Sequence, residues 1–229
     1  MKKSILALPL CAVVTTLVYA DAVLVDGPMK FKPIAASAYQ QTTSDPLVLN
    51  TKPWVIPEGY AQRIISDESD LDIYPNSGDW TDMNTVNETG KRAGRYMYRT
   101  HEVRPGTDPF LGGAISIVDL KTGEAEVLAQ RADWEALDGL VWTPWQTLLF
   151  AEETITAQLP DPDVPAAQSG LLYELKFANN DPTKVEEIKV RPKLGSLSHE
   201  GIEIDDEGNV YVIDEYRKGA IYKFVPDTY

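Results

Sequence analysis

Short apolar runs alternate with turn residues in the last third of the chain. Residues 198–226 read SHEGIEIDDEGNVYVIDEYRKGAIYKFVP. The β-branched and aromatic runs have strand length and are bounded by turn residues, which predicts strands over residues 200–205, 210–215 and 220–225. Carboxylates stand at the strand ends, with Glu200 at the start of the first strand and Asp214 and Glu215 at the end of the second. A carboxylate in that position is costly if it is buried without a cation or a donor.

The same plan recurs along the chain. Asp138 precedes Glu200 by 62 residues, and Glu153 precedes Glu215 by the same interval. A weaker third copy begins at Asp82 and ends its second strand at Glu102. Repeats of about 40–50 residues that are rich in short strands are typical of a β-propeller. We therefore expect an all-β fold, a partial β-propeller with three to four blades.

Equivalent positions of successive blades surround one channel, so the acids of the three modules are expected to converge. One set would be Glu102, Glu153 and Glu215, and the other Asp82, Asp138 and Glu200. Clustered carboxylates raise one another's pKa or bind a hard cation, above all Ca²⁺. The alternative is that these acids only end their strands at the wet surface.

Composition narrows the chemistry. The formal net charge is −14 at pH 7, so nucleic acid and anionic membrane surfaces are poor partners. The single cysteine, Cys11, falls inside a predicted leader. The mature chain would then have no thiolate, and oxygen and nitrogen ligands would have to supply any metal site.

Three segments are expected. Residues 1–22 have the charged start, short apolar stretch and small-residue cleavage site of a signal peptide without a twin-arginine pair, which predicts a periplasmic or secreted protein. Residues 23–50 are weakly patterned and predict an N-terminal arm. Residues 51–229 hold the modules and predict the propeller domain.

Three further side chains are candidate catalytic groups. His101 and His199 are the chain's two histidines, and each precedes a glutamate at the mouth of a module. A histidine there can exchange protons near neutral pH, although a packed or solvent-facing ring is the alternative. Arg217 follows the third module's acids and could meet an anionic substrate, or could be a solvated surface cation.

These motifs resemble the PhoX-type alkaline phosphatase family of secreted bacterial β-propellers. The resemblance lies in Arg-Thr-His-Glu at 99–102, Trp-Thr-Pro-Trp at 142–145 with residues 148–153, Ser-His-Glu-Gly at 198–201, and Asp-Glu at 214–215 leading to residues 221–226. It implies a six-bladed propeller that hydrolyses phosphate monoesters with iron and calcium in its channel. The ligands that it implies are Glu102, Glu152 or Glu153, Glu200, Asp214 and Glu215. From the repeat alone, Asp82 and Asp138 are expected to support these ligands without binding the metal themselves.

Two departures modify that expectation. This chain has Ala151 where the family typically carries cysteine, which favours calcium over iron. Three or four blades cannot close a six-bladed ring, so we expect a fragment, because an open ring exposes strand edges.

The main hypothesis is a periplasmic metal-dependent phosphoesterase that acts on a small phosphate ester. One alternative is a calcium-dependent propeller lactonase or esterase, since residues 200–205 with Gly-Asn-Val-Tyr at 208–211 also resemble those enzymes. Another is a non-catalytic propeller that binds calcium or a protein.

Overall fold

The computed structural model describes residues 64–66, 70–71, 73, 80–103, 112–153, 160–167, 169–216 and 218–227. The signal peptide predicted for residues 1–22, the arm predicted for residues 23–50 and the candidate Arg217 lie outside these described residues. Within the described ranges, no helix has the length and apolar character needed to cross a membrane.

The described strands form three sheets in which each strand pairs antiparallel with the next one along the chain. Blade 1 contains β1 (Trp80–Val86), β2 (Tyr96–Glu102), β3 (Ala114–Asp119) and β4 (Ala125–Gln130). Blade 2 contains β5 (Leu137–Trp142), β6 (Leu148–Glu152), β7 (Leu172–Phe177) and β8 (Val185–Val190). Blade 3 contains β9 (His199–Ile204), β10 (Val210–Asp214) and β11 (Ile221–Phe224). Two 3-10 turns, Ala178–Asn180 and Pro192–Leu194, accompany these strands.

The first strand of each blade lies on the inside. β1 contacts β5, and β5 contacts β9, so the three inner strands are neighbours. Up-and-down sheets arranged side by side through their inner strands are the architecture of a propeller. The prediction of an all-β, partial β-propeller is confirmed, with three blades in the described part of the chain. The three strands predicted near the C-terminus correspond to β9, β10 and β11.

Each inner strand carries one extra residue near its start. The pairing register with the second strand shifts at the same place in all three blades, within residues 81–84 of β1, 137–140 of β5 and 199–202 of β9. Two residues of the inner strand then face one residue of its partner, which is a β-bulge. A bulge bends the strand and changes the direction of a side chain. The bulged stretches contain Asp82, Asp138 and Glu200.

Apolar side chains fill the two spaces between blades. Between blades 1 and 2, Tyr98 stacks on Trp142 with ring centroids 5.7 Å apart, and Phe177 packs against Tyr98 at 5.6 Å. Aromatic contacts of this kind add about 0.5–1.5 kcal/mol each beyond their area. The space between blades 2 and 3 is aliphatic and contains Leu149, Ala151, Leu172, Ile202, Val210 and Val212.

Blades 2 and 3 approach very closely at Gly139. A Cβ added there would lie 2.5 Å from the backbone oxygen of Glu200 and 2.9 Å from Cγ1 of Ile202. At the equivalent position of blade 3, a Cβ on Gly201 would meet only Cδ1 of Ile213, at 3.4 Å. Glycine is therefore required at the first position by the neighbouring blade, and the second position has room for a methyl group.

We predict that Gly139→Ala lowers the free energy of unfolding by about 1–3 kcal/mol, the usual cost of overpacking against a backbone that cannot move freely. Gly201→Ala is the matched control and should change it by less than about 1 kcal/mol. Urea denaturation of both variants measures the difference. Equal losses in the two variants would show that blade 3 does not pack on Gly139 as described.

Candidate metal centre

Carboxylates from all three blades meet at one end of the strands. Glu102 ends β2, Glu153 follows β6 and Glu215 follows β10. These three residues are equivalent by position, and the bulges of the inner strands supply the other three acids, Asp82, Asp138 and Glu200.

Backbone hydrogen bonds repeat at this end of the blades. The N–H of Glu153 donates to the carbonyl of Ala136 at 2.9 Å, and the N–H of Glu215 donates to the carbonyl of Ser198 at 3.0 Å. Both bonds join the end of a second strand to the residue before the inner strand begins. The equivalence of blades 2 and 3 that the sequence indicates therefore extends to the backbone around the acids.

Glu153, Glu200 and Glu215 form the tightest group. One carboxylate oxygen of each residue lies within 4.8 Å of the other two. Calcium holds its oxygen ligands at about 2.3–2.6 Å, so two oxygens on opposite sides of the ion are about 5 Å apart. The three oxygens therefore fit around one cation. Glu153 and Glu200 are half-buried and Glu215 is exposed.

The acids perturb one another's titration. Loss of hydration, together with contacts with Asp82 and Glu153, raises the pKa of Glu102 to about 8. Loss of hydration and contacts with Glu200 and Glu153 raise the pKa of Glu215 to about 7. Glu153 thus connects the acids of blade 1 to those of blade 3. Like charges at such separations favour a proton or a cation between them.

Asp138 is the most deeply buried of these acids. The residue is 2% exposed, and its Oδ1 atom has no hydrogen-bond partner among the described residues. Burial, together with the charges of Asp82, Glu200 and Glu153, raises its pKa to about 9. A buried carboxylate oxygen without a partner is unfavourable unless a proton or a cation meets it.

The ligand chemistry of the centre fits a hard cation. Its six carboxylates offer only oxygen atoms, which suit Ca²⁺ better than a soft transition metal. Iron bound through a thiolate has no ligand here, since Cys11 is the chain's one cysteine and lies outside the described residues.

Two predicted ligands lie elsewhere. Both oxygens of Glu152 accept backbone N–H bonds, from Glu135 at 3.0 Å and from Leu171 at 2.9 Å. Asp214 uses its Oδ1 atom in the same way. Successive residues of a strand point to opposite faces, so only one of Glu152 and Glu153 can face the group. The structure brings Glu153 to the carboxylates and leaves Glu152 and Asp214 outside them.

The two histidines lie in the interior. His101 is 2% exposed and its Nε2 atom shares a hydrogen bond of 2.7 Å with Oγ of Ser116. His199 is fully buried, and burial lowers its pKa to about 4 although the carbonyls of Gly195 and Gly170 oppose that shift. Rings in these positions are shielded from a substrate, so we do not retain a catalytic role for them.

Sequence reasoning gave Asp82 and Asp138 only a supporting role, and the structure places Asp82 against Glu102 and Asp138 close to the charges of Glu153 and Glu200. A signal was present in the Asp-Gly and Glu-Gly dipeptides near the starts of β5 and β9, because a glycine in a strand often marks a bulge. Arg217, the third catalytic candidate, lies outside the described residues.

No family model and no curated protein matches this chain. A solved structure whose assignment as a gluconolactonase is itself provisional matches at a TM-score of 0.36 and 12% identity. The match covers 58% of this chain and 41% of that chain. A likeness this distant carries no argument about activity, so what the chain binds has to be argued from its own carboxylates.

The resemblance to the PhoX-type alkaline phosphatases is wrong. No model of that family matches this chain, and the solved structure reported above is described as a gluconolactonase and not as a phosphatase. The short motifs that suggested it are the ends of second strands and the starts of inner strands. They recur because each blade repeats one geometry, so they indicate the blade and not a phosphatase site.

Without divalent cations, we predict that the stability of the protein falls as the pH rises from about 6.5 to about 9. Glu102, Asp138 and Glu215 have raised pKa values of about 8, 9 and 7 in the folded chain. Over this range the folded state holds protons that the unfolded state has lost, so each rise in pH favours unfolding. The lowered pKa of His199 acts in the opposite direction, but only below this range.

Thermal unfolding in chelator-containing buffers across this range measures the slope. Glu102→Gln should flatten it, because the variant cannot gain that charge, whereas Glu126→Gln on exposed β4 should leave it unchanged. A wild-type slope of zero would contradict the raised pKa values.

Proposed function

We propose that this protein binds Ca²⁺ at the carboxylate centre and uses it to hydrolyse a small neutral ester of the lactone type. The observation that carries the proposal is the buried Oδ1 atom of Asp138, which has no partner among the described residues and lies amid the charges of neighbouring carboxylates. The all-oxygen ligand set and the 4.8 Å spacing in the group of Glu153, Glu200 and Glu215 support it.

Charge neutralisation explains why a cation would bind. Protons on Glu102, Asp138 and Glu215 relieve the repulsion only below their raised pKa values. At higher pH a dication relieves it instead, and its binding releases those protons. Export by the predicted signal peptide would place such a site where calcium is plentiful, and sites of extracellular modules need only weak affinity.

When bound, Ca²⁺ supplies a Lewis acid that polarises a carbonyl oxygen. The carboxylates of Glu153 and Glu200 would hold it from the protein side, since both are half-buried. Glu215 is exposed, so a substrate would approach from its side. An ionised carboxylate at the exposed edge of the cation site can accept a proton from an attacking water, which makes Glu215 the proposed general base.

The charge of the centre favours a neutral substrate. The six carboxylates of the centre offer more negative charge than one dication neutralises, and the excess repels an anionic ester and not an uncharged lactone. The net charge of −14 for the whole chain acts in the same direction.

Calcium binding without catalysis is the second candidate. The surface cavities of the described residues favour it. One cavity is bordered by Arg92 and Glu124 and another by Trp145 and Phe224. No carboxylate of the centre lines either cavity, so neither is a substrate pocket for the proposed reaction.

We predict that the wild-type chain binds Ca²⁺ in isothermal titration calorimetry and that Glu153→Gln and Glu200→Gln each weaken binding at least tenfold, because each loses a charged ligand. Calcium at one hundred times its Kd should stabilise the wild-type protein by about 2.7 kcal/mol. Glu126→Gln, far from the centre on β4, is the control for a lost surface charge. Unchanged binding in both site variants would place the calcium elsewhere.

We predict that the calcium-loaded protein hydrolyses a small lactone and that chelator abolishes the activity. Glu215→Gln should weaken calcium binding, and at saturating calcium it should still lower kcat, if Glu215 acts as the base. A phosphate monoester serves as the charged comparison substrate and should not be turned over. Calcium binding with no lactone turnover would leave the non-catalytic candidate.

A further inference from the structure

Glu152 is a buried carboxylate that the proposed centre does not use. It ends β6, directly before Glu153, and is 1% exposed. Burying a carboxylate is expensive, and burial raises the pKa of Glu152 to about 7. Buried polar groups are usually hydrogen-bonded, and each of the two carboxylate oxygens of Glu152 accepts a hydrogen bond.

The side chain of Glu152 joins three segments of blade 2. Its Oε1 atom accepts from the N–H of Glu135 at 3.0 Å, and its Oε2 atom accepts from the N–H of Leu171 at 2.9 Å. The first bond holds the segment that enters β5, and the second holds the segment that enters β7. Both segments are thereby held to the end of β6, directly before Glu153.

The bond to the N–H of Glu135 holds the backbone directly before Ala136. The carbonyl of Ala136 accepts from the N–H of Glu153 at 2.9 Å. Asp138 follows two residues later at the bulge of β5. The buried carboxylate of Glu152 therefore fixes the backbone next to both acids of blade 2, Glu153 and Asp138.

Blade 3 has an equivalent arrangement. Asp214 lies 62 residues after Glu152 and precedes Glu215, as Glu152 precedes Glu153. Its Oδ1 atom accepts from the N–H of Ser198 at 3.3 Å and from the N–H of Tyr216 at 3.1 Å. The segment that enters β9 is thus held to the end of β10.

We infer that Glu152 is a positioning residue for the cation site, which acts by fixing Glu153 and the entry to β5, and that Asp214 does the same for Glu215 in blade 3. The inference rests on the proposed cation site. Neither side chain contacts the cation; each holds the backbone from which a ligand projects. Partners that orient metal ligands typically change metal affinity by about 10–100-fold when they are mutated.

Glu152→Gln is the first test. A glutamine keeps one carbonyl oxygen and turns an NH₂ group towards the second backbone N–H, so one bond is replaced by a donor–donor contact. We expect a Kd for Ca²⁺ about tenfold higher in isothermal titration calorimetry. Glu174→Gln is the matched control, because it also replaces one charged oxygen with an NH₂ group. It loses the bonds that Oε2 accepts from Arg191, on strand β7 and without a link to a ligand.

A double-mutant cycle separates positioning from general destabilisation. If Glu152 acts through Glu153, the effect of Glu152→Gln on the Kd should shrink in a Glu153→Gln background. It should persist in a Glu174→Gln background. Equal effects in both backgrounds would show that Glu152 only stabilises the fold, and would overturn the inference.

Asp214 provides a second test if Glu152→Gln does not fold. Among the described residues both bonds fall on its Oδ1 atom, so Asp214→Asn should keep both bonds and the Kd, whereas Asp214→Ala should lose both bonds and bind Ca²⁺ more weakly. Equal Kd values for wild type, Asn and Ala would overturn the inference. A wild-type chain that binds no Ca²⁺ would overturn the proposed function as well, which distinguishes the two failures.

Discussion

Repulsion among clustered carboxylates, of which Asp138 is buried, is the interaction on which the rest of this structure depends. Asp138 and Glu102 have strongly raised pKa values because burial and neighbouring acids both oppose their ionisation. A flexible chain would relieve this by moving the acids apart. Here each acid projects from the end or the bulge of a paired strand, and the strands are held by hydrophobic contacts between blades. The blades therefore keep together charges that would separate on their own.

Close packing between the blades sets the geometry of the centre. Gly139 admits the backbone oxygen of Glu200, so the bulges of β5 and β9 lie against each other. On the other side of blade 2, Tyr98 and Trp142 stack across the boundary with blade 1. Protein interiors of this density transmit small shifts. The distances among the acids are consequently a property of the blade interfaces as much as of the acidic residues.

The sequence was sufficient to predict the blades and the meeting of the acids, because the interval of 62 residues relates Asp138 to Glu200 and Glu153 to Glu215. It could not distinguish Glu152 from its neighbour, since two consecutive acids at a strand end differ only in the face to which they point. The burial of the two histidines was not predictable for a similar reason, because a strand residue beside a site can point into the core. The family resemblance failed because repeated strand ends resemble each other in any propeller.

A proton and a cation are competing solutions to the same repulsion. Glu200 and Glu153 contribute to the raised pKa of Glu215, which is about 7, and each places a carboxylate oxygen within 4.8 Å of one of its own. Each cation that binds must displace the protons held there, so affinity has to rise with pH over the range in which the acids titrate. The raised pKa values and the proposed calcium site are then one feature of the fold. Residues such as Glu152 fix the backbone without binding the cation. They therefore determine how close the acids stay in both the protonated and the cation-bound centre.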